Sequence, residues 1–181
     1  MQGHVSIRTS SGGAATSRTK RQRMLHDTVW LLVLIGFLCG CGKSSTKTFS
    51  FTYPEESMVP TLTAGEVVKA RPIRLDEAIS RREIVLFKAP VGSDPGIVTL
   101  LKRVIGLPNE TITAHGGHVY INGKRLSEPY LPKSTYSSDF SPVRIPANSY
   151  WVMGDNRVNS KDSRVFGVIS RADITAVIEH P

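Results

Sequence analysis

The feature that most constrains the fold is a recurring pattern of short β-branched runs cut by turn residues. Phe49-Ser50-Phe51-Thr52-Tyr53 alternates apolar and polar side chains, as a half-buried strand does. Runs 66–70, 84–87, 97–101, 150–153 and 176–178 are of the same short, β-rich kind. Val119-Tyr120-Ile121 and Lys124-Arg125-Leu126 flank Asn122-Gly123, which takes the positive φ angles of a tight hairpin turn. Residues 75–82 have room for one or two helical turns. Many short strands with frequent Pro and Gly turns predict a mostly β, barrel-like body, and the chain carries no internal repeat.

The N-terminal part differs. Residues 1–20 are rich in Ser, Thr, Gly and Arg and have almost no large apolar side chains, so they cannot offset their ordering entropy. Residues 1–27 carry five basic side chains against Asp27 alone. An uncharged run of 15 residues follows, from Thr28 to Gly42. A spanning helix needs about 17–25 residues and a secretory apolar segment about 7–15. A basic flank before such a run sets membrane topology: the flank stays in the cytoplasm and the body lies outside. The expected organisation is a disordered basic stretch over 1–27, a membrane anchor or signal segment over 28–42, and a catalytic body over 43–181. Leu38-Cys39-Gly40-Cys41 resembles a bacterial lipoprotein cleavage box, which makes Cys41 a candidate for lipidation. Cys39 and Cys41 are the only cysteines and lie too close together to staple the body.

Net charge is +8, from 23 basic and 15 acidic residues. The clustered part sits at the apolar run and not along one face of the body, so the charge reads as a topology signal and not as a nucleic-acid footprint.

Three segments concentrate chemistry. In Glu56-Ser57-Met58-Val59-Pro60-Thr61-Leu62, a serine stands at a strand end beside apolar side chains, and Pro60 blocks further pairing. In Leu100-Leu101-Lys102-Arg103-Val104-Ile105-Gly106-Leu107-Pro108, a lysine sits inside an apolar strand run. Such a lysine either snorkels to solvent or is desolvated; desolvation disfavours the ammonium form, and a neutral amine can accept a serine proton. Segment 154–167 is a loop dense in Gly, Asn, Asp and Ser, with Arg157 and Arg164. It is suited to hold an amine and brace a site.

Together the three segments resemble the signature boxes of the type I signal peptidases, a family of Ser/Lys endopeptidases. Ser-Met-x-Pro-Thr-Leu stands at 57–62, Lys-Arg-Val-Ile-Gly-Leu-Pro at 102–108, and Gly-Asp-Asn-Arg-x-Asn-Ser-x-Asp-Ser-Arg at 154–164. The resemblance covers about residues 49–178. It implies a β-barrel catalytic core with a small inserted β subdomain, here 108–146. It also implies removal of N-terminal signal peptides from exported preproteins at a membrane. Carried over to this chain, Ser57 is the nucleophile, Lys102 the general base, and Ser160 the group that orients the amine. The Ser57 amide would face the oxyanion. Asp155, Asp162 and Arg164 would brace the loop. Phe51, Tyr53, Met58, Leu62 and Leu101 would line small apolar pockets that take Ala-x-Ala ends. The base is a side chain, so no metal or organic cofactor is implied. Glu55 stands where the family has Ser or Gly. A carboxylate directed inward would repel the oxyanion, so Glu55 is expected to point outward.

Other signals carry less. His115 and His118 flank a glycine turn with no further His or Cys ligand nearby in sequence, so a metal is not expected. No glycine loop suited to phosphate is present. Two rival readings are a specialised peptidase for pilins or transfer proteins, and a weak or inactive lipid-anchored peptide-binding homologue. A self-cleaving Ser/Lys repressor would need a DNA-binding helix pair that the N-terminal segment does not offer.

Overall fold

The β-branched runs pair into antiparallel strands. The computed structural model describes residues 47–91 and 98–179. The readings on 1–27, on 28–42, on Cys41 and on Ile97 lie outside the described residues. Among the described residues no helix is long and apolar enough to cross a membrane.

The strands are β1 (Phe49–Thr52), β2 (Val67–Pro72), β3 (Ile84–Lys88), β4 (Thr99–Gly106), β5 (Thr111–His115), β6 (His118–Ile121), β7 (Lys124–Arg125), β8 (Phe140–Arg144), β9 (Ser149–Met153), β10 (Ile169–Ser170) and β11 (Ile174–Glu179). Seven of them form one sheet in the order β1-β2-β11-β3-β4-β9-β10. The order ends at β1 and β10, so the pairing is open and does not close as the expected barrel would. Both end strands are short and, among the described residues, have a partner on one side only. The other four form a second sheet, β7-β6-β5-β8.

The inner strands β3, β4 and β9 are buried on both faces, which explains their near-continuous apolar runs, whereas β1 and β2 are partly exposed. Neighbouring residues of one strand fall into different apolar clusters. Val85, Leu100 and Val177 belong to one, while Ile84, Leu101 and Ala176 belong to another with Tyr53, Met58 and Leu62. A third cluster joins Ile105, Trp151 and Met153 to Ile112, Val119 and Ile145.

Three local readings are corrected or refined. Residues 75–82 form turns and not a helix. Lys102 to Gly106 continue β4 well beyond residue 101. The loop of 154–167 ends in a short helix, α1 (Ser163–Phe166), capped by the Asp162 side chain. The hairpin stands as expected, with φ of 50° at Asn122 and 76° at Gly123.

Gly106 shows how closely the two sheets pack at a break in the β4–β9 register. A Cβ there would lie 2.3 Å from Ile145 Cδ1 and 3.0 Å from Trp151 Cβ. Both neighbours are buried, so neither can swing into solvent. Overpacking of this kind costs about 1–3 kcal/mol. Gly106→Ala should therefore lower the urea unfolding midpoint by a corresponding amount. An unchanged midpoint would show that Ile145 repacks freely.

Candidate active site

Tyr53 ends the run of β1, and Pro54 to Glu56 lead into a turn that carries Ser57. That turn is fixed from below: Met58 and Leu62 are buried in the second apolar cluster, and Leu62 N donates to Met58 O at 3.1 Å. Ser57 itself is buried. Lys102 lies in mid-strand on β4, paired across to Val85 of β3. Its side chain is only 1% exposed, so the snorkelling alternative does not apply.

The two residues meet. Lys102 Nζ is 2.7 Å from Ser57 Oγ and 3.0 Å from the Leu101 carbonyl oxygen. Burial pushes the Lys102 pKa below the ordinary lysine range. Glu55 and Asp162 pull in the opposite direction. Burial thus makes the neutral amine easier to reach than in a solvated lysine, beside a hydroxyl that a neutral amine could deprotonate.

Two further groups touch the serine. Tyr53 OH lies 2.9 Å from Ser57 Oγ, and Ser57 Oγ donates to Glu55 Oε2 at 3.1 Å. Burial is the main cause that raises the Tyr53 phenol to about 12, so it remains protonated at neutral pH. The expectation that Glu55 points outward is corrected. Its carboxylate reaches in to Ser57 and also lies 3.5 Å from Lys102 Nζ. The side chain is long enough to return from a third-exposed position, and two polar hydrogens await it there.

The loop after β9 is tied to the turn that carries Ser57. Asn156 N donates to Ser57 O at 3.0 Å, and Asn156 Nδ2 to Glu56 O at 3.2 Å. Gly154 passes so close that a Cβ would lie 2.4 Å from Ser57 O and 2.3 Å from Ser160 Oγ. No side chain could be carried there. The Ser160 hydroxyl is buried and, among the described residues, makes no hydrogen bond. It shares the Gly154 contact zone with Ser57, and no bond joins it to Lys102.

Asp155 and Asp162 both make two-point contacts with arginines. Arg103 Nε and NH2 donate to the two Asp155 oxygens at 2.8 and 2.6 Å, and Thr61 Oγ1 donates to Asp155 Oδ2 at 2.5 Å. Arg164 binds Asp162 in the same way at 2.8 and 2.7 Å, and Asp162 Oδ2 also accepts from Gly154 N at 2.9 Å. Arg103, next to Lys102, is therefore anchored to the residue after Gly154, and its guanidinium lies 4.1 Å above the Tyr130 ring.

The five expected pocket residues come together in one cluster: Tyr53, Met58, Leu62 and Leu101 are buried, and Phe51 packs against them half-buried. Sequence reading did not assign four other parts: the Tyr53 hydroxyl, Arg103, Thr61, and Arg157 with its partner Glu128. Arg103 and Thr61 lay inside the quoted boxes, and their proximity to Asp155 was the missing information. Glu128 lies in the second-sheet region, and nothing in its local sequence marks it. A cavity of about 690 Å³ near that region is lined by Arg125, Glu128, Lys133 and Arg157 among others, and by neither Ser57 nor Lys102.

A family model described as "Signal peptidase, peptidase S26" matches residues 25–181. Signal peptidase I of Bacillus amyloliquefaciens is 39% identical over 118 residues, which are 60% of this chain and 59% of that protein. Signal peptidase I V of Bacillus subtilis is 39% identical over 136 residues, 67% of this chain and 78% of that protein. A crystal structure of a signal peptidase I from Enterococcus faecalis aligns with a TM-score of 0.49 at 32% identity, over 57% of this chain and 98% of the other. The chain spans about three fifths of the length of the first of these relatives. With the family model matched over most of its length, the chain belongs to the signal peptidase family, peptidase S26.

Proposed function

We propose that the protein is a serine endopeptidase that removes N-terminal signal peptides from exported preproteins. One observation carries the reading: a desolvated lysine amine 2.7 Å from a buried serine hydroxyl. Neutral Lys102 takes the proton of Ser57 Oγ as the oxygen attacks the scissile carbonyl. The Ser57 amide donates to the oxyanion. The Lys102 ammonium then gives its proton to the leaving amine, and the C–N bond breaks. A water attacks the acyl-serine ester and loses its proton to Lys102. Cleavage of the ester C–O bond, with that proton passed from Lys102 to Ser57 Oγ, regenerates the hydroxyl and frees the signal peptide; the mature chain left earlier as the amine.

The remaining assignments belong to the same reading. Ser160, whose buried hydroxyl has no hydrogen-bond partner among the described residues, orients the amine when substrate is bound. Phe51, Tyr53, Met58, Leu62 and Leu101 receive the small side chains of an Ala-x-Ala end. Asp155, Asp162 and Arg164 keep the loop in place. Residues 108–146 form the inserted subdomain of a mostly β body, anchored to a bacterial plasma membrane through 28–42 with the body outside the cytoplasm. If Cys41 is lipidated, the mature chain begins there; the intact mass of membrane-extracted protein distinguishes this from an uncleaved anchor.

Two outcomes test the dyad. Ser57→Ala and Lys102→Ala should each abolish processing of a preprotein while the unfolding transition stays cooperative. The double variant should be no worse than either single one, because the pair acts as a unit. Mass spectrometry of the products is the readout, and substantial cleavage by Lys102→Ala would exclude the lysine as base.

The second outcome is pH dependence. The reactive form of Lys102 is neutral, and burial lowers its pKa. Activity should therefore rise with pH through a single ionisation below the ordinary lysine range and level off above it. A plateau already reached at mildly acidic pH would indicate a different base.

A further inference from the structure

Ser57 Oγ has one hydrogen and two lone pairs to offer. Three groups stand around it at hydrogen-bonding distance: Lys102 Nζ at 2.7 Å, Tyr53 OH at 2.9 Å and Glu55 Oε2 at 3.1 Å. A carboxylate can only accept, so the serine hydrogen is directed at Glu55. A protonated tyrosine and an ammonium lysine donate, and they occupy the two lone pairs. In that arrangement the oxygen is fully engaged. It has no lone pair free for a carbonyl carbon, and its proton faces the wrong acceptor.

Glu55 sustains this state from both ends. It holds the serine proton, and its negative charge lies 3.5 Å from the lysine amine, where it favours the ammonium. Attack requires the opposite on both counts: a neutral lysine, and a serine proton turned towards Nζ.

We propose that Glu55 is a restraint on the dyad, which holds Ser57 and Lys102 in a resting arrangement and is displaced when a substrate enters. This rests on the Ser57–Lys102 reading of the site. Glu55 is suited to the part because it is 32% exposed, whereas Lys102 is 1% exposed. A peptide strand laid along the Ser57 segment can turn the carboxylate out to solvent without unpacking anything. Its departure strips the amine of its nearest anion and frees the serine proton in one movement.

The other groups near the amine do not share this mobility. Asp162, on the loop after β9, favours the ammonium from a greater remove and is fixed by Arg164 and Gly154 N. Asp155 is bound by Arg103. Tyr53, from the β1 side, is buried and stays protonated. Across the sheet, β3 offers only the uncharged Val85.

The test is single-turnover cleavage of one preprotein as a function of pH by the full chain, by Glu55→Gln and by Glu55→Ser, with Ser57→Ala as the inactive control. Gln keeps the length without the charge, and Ser removes the reach altogether. Both variants should cleave several-fold faster than the parent on the acidic limb and reach half-maximal rate at a lower pH. Overlapping profiles for all three active proteins would overturn the restraint and leave the dyad standing. Marked loss of rate in both variants would also overturn it, since Glu55 would then assist the reaction. If the parent cleaves no better than Ser57→Ala, the peptidase reading fails and the restraint falls with it. Matching urea midpoints of the three proteins exclude a folding effect, as expected for a partly exposed side chain.

Discussion

The buried amine of Lys102 is the constraint on which the rest of this structure depends. A charged group in that position is unfavourable, so the fold must either neutralise it or surround it with acceptors. It does some of each. The Leu101 carbonyl, the Ser57 hydroxyl and the Glu55 carboxylate lie within 3.5 Å, while the β3–β4 pairing and the Tyr53–Met58–Leu101 cluster keep water away. The linkage has a definite sign. Lys102 has a lower pKa folded than unfolded, so the unfolded chain binds more protons between those two values. Stability contributed by this residue therefore rises with pH across that window. Burial of Lys102 thus carries a stability cost at lower pH, a cost that the proposed role as base would account for.

Holding a lysine and a serine at 2.7 Å from different parts of the chain requires a rigid frame. Arg103 supplies much of it. It follows Lys102 on β4, pairs with Asp155 after β9, and reaches the Arg82 carbonyl at 2.8 Å. Breaking a buried ion pair by removing one partner commonly costs about 3–5 kcal/mol, because the other charge is left uncompensated. Asp162 performs a similar task one turn later by capping α1 and accepting from Gly154 N. The density of Asp, Asn and Arg in this loop follows from these duties.

Much of the site was legible because its chemistry is local in sequence. Ser57, Lys102 and the 154–164 loop each stand in a compact box, and the structure brings all three together. The strands were legible where both faces are buried or alternation is clean, as at β1, β3 and β9. Phe140–Arg144 was harder, because its pairing is supplied by β5, far away in sequence, and its own residues show no clean hydrophobic period. The direction of Glu55 was misread for a related reason. Repulsion of an oxyanion is a property of the transition state, whereas the resting structure presents Glu55 with a serine hydrogen and a lysine amine. The Tyr53 hydroxyl was hidden inside a residue read for its apolar ring.

The central claim is that Lys102 is a desolvated base, and its ionisation can be observed directly. NMR of the full chain carrying isotope-labelled lysine, compared with Lys102→Met to assign the resonance, follows each amine across the alkaline range. The structure predicts one signal, absent from Lys102→Met, that loses its proton at lower pH than the other lysines. A Lys102 signal that titrates together with them would contradict the account.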